Sequence, residues 1–171
     1  MATLRAFLRG QAIDHETDLS AVIANLNRLV FESSAPNRYA TFFLGVFDAA
    51  SRVLNYVNAG HNAPMVIRPA GEVVRLEAGG SVVGLIRAGS WVQGRVKLET
   101  GDLLVAFTDG ISEAMNQADD EWGEERLIEA ARAMPAAPAN AILENIVRSA
   151  DGFVAGAPQF DDMTLIVARV G

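Results

Sequence analysis

The sequence contains no cysteine. Disulfide frameworks, thiolate zinc sites and cysteine nucleophiles are therefore excluded. Cations are in the minority: 14 Lys and Arg stand against 21 Asp and Glu, a formal net charge of -7. A basic nucleic-acid footprint is absent, and an anionic membrane surface would repel such a chain. No apolar run is long enough to span a bilayer, and the start, MATLRAFLRG, lacks the apolar core of a signal peptide. The expectation is a cytoplasmic protein with neither nucleic acid nor membrane as partner.

Apolar material is plentiful. Half of the 171 residues are hydrophobic, enough for the core of one domain and too much for a disordered chain. Leu4, Phe7 and Leu8 have helical spacing within residues 1–10, but no cap precedes them. After the polar QAIDHETD, Asp18 or Ser20 is placed to cap a helix whose stripe is Leu19, Val22, Ile23, Leu26, Leu29 and Val30. Ser33, Ser34, Pro36 and Asn37 end it. The pattern then becomes β. TFFLGVFD reads as a strand covered on both faces, and VLNYVNAG, PMVIRP and EVVRLEA follow with turn residues between them. VQGRVKLE alternates, with Val92, Gly94, Val96 and Leu98 inward and Gln93, Arg95 and Lys97 outward. LLVAFTDG reads as another strand buried on both faces. Helices return over Glu124–Met134 and Ala139–Phe153, broken by Pro135 and Pro138, and MTLIVARV closes the chain as a strand. Hairpin-linked strands with segregated helices predict an α+β layered domain.

Two places concentrate carboxylates at strand ends. Thr108-Asp109-Gly110 stops one strand, and Asp161-Asp162-Met163-Thr164 precedes the last. A short carboxylate on a stiff strand end suits a hard divalent cation such as Mg²⁺ or Mn²⁺. Asp-Gly is equally an ordinary turn, and Asp-Asp before a strand a solvated cap; spacing alone leaves both readings open. Asn58-Ala-Gly-His61-Asn62-Ala-Pro64 joins two strands, where Gly60 permits a positive φ and the polar side chains can line a cleft or simply bond the turn. The acidic EAMNQADDEWGEE does not have EF-hand spacing and reads as a solvated flap anchored by Trp122.

In order, ATFFLGVFD, LNYVNAGHNAPMVIR, SVVGL, LETGDLLVAFTDGISEAMN, EWGEERL and FDDMTLIVAR resemble the SpoIIE/RsbU branch of the PPM (type 2C) metal-dependent serine/threonine phosphatases, over nearly the whole chain. The resemblance implies an α-β-β-α sandwich of two antiparallel sheets flanked by helices. It implies a centre of two Mn²⁺ or Mg²⁺ ions and hydrolysis of phosphoserine or phosphothreonine without a phosphoenzyme. Asp109 and Asp161 match family metal ligands. Asp162 matches the neighbouring position that supports the ligands without binding metal itself, Thr108, Gly110 and Thr164 match the residues that shape the ligand loops, and Asn58, Gly60 and His61 match a turn near the cleft. The implied partners are a phosphorylated STAS-domain protein of a partner-switching pathway, as substrate, and an N-terminal sensor or receiver domain.

The sequence departs from the family in one respect. The upstream Gly-Asp and Asp-x-Ser-Gly-x-Gly motifs, which carry further ligands, have no counterpart. Residues 1–171 are therefore expected to be the C-terminal two-thirds of a single phosphatase domain, without its N-terminal strands. Alone it is expected to be inactive, to hold metal weakly if at all, and to bury its uncovered sheet surface by forming a homodimer. The competing expectation is a non-catalytic regulatory module that binds a STAS or kinase partner. A small-molecule-binding β-rich domain has no specific residue in its favour.

Overall fold

The structure is a computed structural model; it describes Leu8 and residues 16–35, 38–159 and 161–171. Apart from Leu8, the helix expected over residues 1–10 lies outside the described residues, as do most of the following loop and the Pro36–Asn37 stop. The described elements run α1 (Leu19–Ser33), β1 (Phe42–Asp48), β2 (Val53–Ala59), β3 (Met65–Ile67), β4 (Val73–Arg75), β5 (Gly79–Gly80), β6 (Gly94–Lys97), β7 (Leu103–Phe107), α2 (Asp109–Ser112), α3 (Gly123–Arg132), α4 (Ala139–Val154) and β8 (Leu165–Arg169). They form two compact units, one from the residues up to His61 with Leu76–Leu98, the other from Asn62–Arg75 with Glu99–Gly171.

In the first unit Asp18 is the N-cap of α1. Its Oδ1 accepts from the backbone of Ser20 (3.0 Å) and Ala21 (3.2 Å), which satisfies two of the donors a helix start leaves free. Leu19, Ile23 and Leu26 are fully buried and pack with Val57, Ala59, Val83 and Trp91. Each such side chain contributes about 1.5–3 kcal/mol through removal from water. β2 carries β1 antiparallel on one edge, Leu44 opposite Val57, and β6 on the other, Leu54 opposite Val96. The short β5 also joins β2, in parallel, Asn58 opposite Gly79. The expected two-sided burial of β1 is not found. Phe42, Leu44 and Val46 pack toward α1 and Phe43 stacks on Tyr56 at 5.7 Å, but Phe47 is 45% exposed. The reason is position: among the described residues β2 is the strand that pairs along β1. Val92, expected inward, is 66% exposed, because the pairing with β2 starts at Gly94.

The second unit holds an antiparallel sheet in the order β4-β3-β7-β8, with Val66 opposite Leu104 and Leu104 opposite Ala168. Leu103, Val105 and Phe107 alternate onto one face and meet Ile111, Leu127, Ile142 and Ile146 of the helices. The other face of β7 is only half-buried, not covered as the sequence suggests. Trp122 is buried, as expected of an anchor, and its backbone N–H donates to Ala114 O at 2.8 Å. Arg126 lies over the Phe153 ring at 4.7 Å, joining α3 to α4. Each unit is thus one sheet with helices on a face, and the fold class is α+β. No helix among the described residues is long and apolar enough to cross a membrane.

Candidate active site

β7 and β8 are neighbours, so the end of one meets the beginning of the other. Thr108 continues the pairing past β7: its N–H donates to Thr164 O at 3.0 Å. Its hydroxyl then serves both ways, donating to Asp162 O (3.0 Å) and accepting from Thr164 N–H (2.9 Å). Gly110 is buried against the same loop. A Cβ there would stand 2.6 Å from Asp162 O and 3.3 Å from Asp161 C, so only glycine lets the two segments approach this closely. Two loops more than fifty residues apart in sequence are therefore clasped by one threonine and one glycine.

Asp109 and Asp161 flank this clasp, both exposed. Each carboxylate is oriented by the next residue's backbone: Gly110 N–H donates to Asp109 Oδ1 at 3.0 Å, and Asp162 N–H to Asp161 Oδ1 at 2.7 Å. Asp162 takes part through its carbonyl, held by Thr108, and its side chain is exposed. A cavity of about 400 Å³ opens on the same unit, with Gly110 and Asp161 in its wall beside Glu113, Met115, Asp151 and Val154.

Asn58, Gly60 and His61 belong to the first unit. Asn58 is 5% exposed and fully engaged in the turn. Its Nδ2 donates to His61 O (2.9 Å) and Leu76 O (3.3 Å), and its Oδ1 accepts from His61 N–H (2.8 Å). Gly60 has φ +72°, a Cβ there would stand 2.5 Å from Val82 Cγ1, and His61 Nδ1 lies 3.4 Å from Thr41 Oγ1. The structure thus joins Thr108, Asp109, Gly110, Asp161, Asp162 and Thr164 in one constellation and places the Asn58–His61 turn in the other unit.

The donor chemistry of Asp109 and Asp161 suits a hard divalent cation. Their number does not: among the described residues no group of three or more His, Asp or Glu side chains stands close enough to hold an ion. The pair fits part of a ligand set and not a whole two-metal centre.

Two buried polar residues escape a reading by motif. Asn27 is 1% exposed on the apolar side of α1, donating to Ile86 O (3.0 Å) and Arg87 O (3.3 Å) and accepting from Gly84 N–H (2.8 Å). A polar residue four after Ile23 in the stripe was the available signal. Asp102 is fully buried, pairs with Arg68 and accepts from Glu99 N–H at 2.7 Å. It explains the Gly-Asp before β7 as a structural turn.

Comparison with known proteins agrees with this layout. Protein IcfG of Synechocystis sp. is 31% identical over 148 residues, covering 86% of this chain and 23% of that protein. The phosphoserine phosphatase RsbU of Bacillus subtilis is 29% identical over 99 residues, 57% of this chain and 30% of RsbU. The chain therefore spans less than a third of either relative. Among solved structures, the SiaA-PP2C domain of Pseudomonas aeruginosa superposes with TM-score 0.77 at 20% identity, covering 89% of this chain and 61% of that one. The catalytic domain of the serine/threonine phosphatase PstP, in complex with two manganese ions, gives TM-score 0.62 at 16% identity, covering 98% and 79%. These likenesses bear out the PPM-like α+β fold class. The family model for Stage II sporulation protein E matches residues 1–171, and the chain belongs to the SpoIIE family.

Proposed function

We propose that this chain supplies the C-terminal two-thirds of one metal-dependent phosphoserine/phosphothreonine protein phosphatase domain, with Asp109 and Asp161 as two of its metal ligands. The observation that carries the reading is the Thr108 clasp, which holds both carboxylates at the meeting ends of β7 and β8. The manganese-bound PstP domain of the same fold supports Mn²⁺ or Mg²⁺ as the ion. Bound there, such ions lower the pKa of a water and offset charge on the phosphoryl oxygens. This chain's own part is positioning. The backbone donors of Gly110 and Asp162 fix the two carboxylates, while Thr108, Gly110 and Thr164 set the spacing of their loops. The Asn58–Gly60–His61 turn gives support or positions substrate.

The substrate in this reading is a phosphorylated STAS-domain protein, with a sensor or receiver domain as regulatory partner and the cytoplasm as location. RsbU, a phosphoserine phosphatase by name, supports the phosphoserine preference. One observation favours the second reading, a regulatory module that binds a STAS or kinase partner without hydrolysis: no third carboxylate or histidine joins the pair among the described residues.

The two readings separate in a turnover assay with Mn²⁺ and a phosphoserine STAS protein. It compares the 171-residue chain, the full-length protein and its Asp109→Asn variant. The expected result is activity in the full-length protein only, reduced at least about a hundredfold by Asp109→Asn, since loss of a ligand should exceed the loss of its supporting shell. Binding of the STAS protein with no turnover in any form would establish the regulatory module instead.

A further inference from the structure

We propose that Arg126 is a positioning residue for the substrate chain: it sets the loop of residues 113–122 against the end of α4, and that loop walls the space that takes the residues beside the phosphoserine. The proposal rests on the phosphatase reading and adds to it a residue that acts on protein substrates rather than on the phosphate. It also gives a part to the EWGEERL segment, residues 121–127, which the Thr108 clasp does not include.

The loop is built as one piece. Trp122 N–H donates to Ala114 O at 2.8 Å and closes it, and Met115 bridges to Glu121 within. At the bend Asn116 Oδ1 accepts from Ala118 N–H (2.8 Å) and Asp120 N–H (3.0 Å). A loop bonded in this way shifts as a unit, so its place depends on how its root is held. Arg126 holds the root. Its Nη1 donates to Trp122 O at 2.7 Å and Glu121 O at 3.2 Å. Its guanidinium lies over the Phe153 ring, 4.7 Å from the centroid. A planar guanidinium can bond carbonyls at its edge and stack on a ring with its face. Phe153 is the residue before Val154, where α4 ends. Further out, Gln117 Nε2 donates to Ala155 O at 3.4 Å and joins the same two parts again.

What Arg126 fixes is the width of a cavity. Ala114 and Met115 of the loop line it, Val154 of α4 lines it as well, and Asp161 is in its wall. Its volume, about 400 Å³, lies within the usual range for binding pockets, roughly 300–1,000 Å³. In the phosphatase reading the phosphate sits on the metals that Asp161 helps to hold. The chain beside the phosphoserine then runs past these walls. A small phosphate ester has no such chain. It needs the metal centre and not the cavity, and this difference makes the role of Arg126 measurable.

The test uses the full-length protein with Mn²⁺, a phosphoserine peptide and p-nitrophenyl phosphate. Arg126→Met is expected to raise KM for the peptide at least about threefold, the scale of one exposed cation–π contact. Peptide kcat, and kcat/KM for p-nitrophenyl phosphate, should not change. Arg126→Lys, which keeps a cation over the ring, should restore most of the peptide KM. Phe153→Leu removes the contact from the other side. It should give the same split between substrates, and adding Arg126→Met to it should change little, as for residues sharing one contact. Equal losses with both substrates would make Arg126 a general support of the fold and overturn the proposal, as would an unchanged peptide KM. Binding of the same peptide, read by fluorescence anisotropy, separates this claim from the phosphatase reading. Binding without hydrolysis in wild type, weakened in Arg126→Met, would uphold the role of Arg126 and count against the phosphatase reading alone. Equal binding by the two proteins, or none by wild type, would overturn the role of Arg126.

Discussion

Thr108 does three jobs with one residue: its N–H extends the β7–β8 ladder, and its hydroxyl donates to Asp162 O and accepts from Thr164 N–H. Thr108→Val keeps the shape and removes both hydroxyl bonds. If the full-length protein is assayed as the proposed phosphatase, the change should cost about tenfold to a hundredfold in kcat/KM, the range for groups that orient metal ligands, while Thr108→Ser retains most activity. An unchanged kcat/KM in Thr108→Val would mean the clasp does not set the carboxylates. Arg68 and Asp102 make a different residue-scale claim, one about stability. Asp102 is fully buried, so Arg68→Met leaves its charge uncompensated. The expected loss is about 3 kcal/mol, the lower end for a broken buried pair because Arg68 is partly in water; urea unfolding measures it. The place of Asp109 and Asp161 beside the strands β7 and β8 was legible in the sequence, because aspartate at a strand end is conspicuous. Asn27 and Asp102 were not, because what they bond is fixed by segments far away, the 84–87 loop and Arg68.

At the scale of elements, α1, α3, α4 and most strands followed from periodicity, since each buries one stripe or one face. The errors fell where tertiary neighbours decide. TFFLGVFD is apolar on both sides, yet β1 borders its sheet and leaves Phe47 exposed. The two-residue β5 has no pattern to detect; it exists because Gly79 lies against Asn58. The cavity was illegible as well, because its wall joins residues near Gly110 and Asp161 to the end of α4, which only the tertiary structure brings together. Gly110 ties these scales together. Gly110→Ala must push the Asp161–Asp162 loop aside, and a loop so displaced should lose metal affinity and activity together while β7 and β8 stay paired. Circular dichroism beside turnover checks this: native spectrum with lost activity is the expected pairing. Gly60→Ala should instead lower stability by about 1–3 kcal/mol, the range for a residue forced into the left-handed region, because its φ is +72° and Val82 fills the space.

For the whole molecule the two units share one unanswered surface question, the strand edges. Among the described residues β1 has β2 as its strand neighbour and β8 has β7, with Phe47 and Ile166 exposed at 45% and 57% on these border strands. Open edges with apolar side chains recruit further strands. The 171-residue chain should therefore self-associate, and light scattering should show mass rising with concentration; a monomer throughout would contradict it. The central claim is that Asp109 and Asp161 bind the same metal centre. It is tested most directly by Mn²⁺ titration calorimetry on the full-length protein, with Asp109→Asn, Asp161→Asn and the double variant. The expected result is that each single change weakens Mn²⁺ at least about tenfold and that the double change costs clearly less than the sum, as for residues sharing one partner. Unchanged affinity in either single variant, or strictly additive losses, would contradict it.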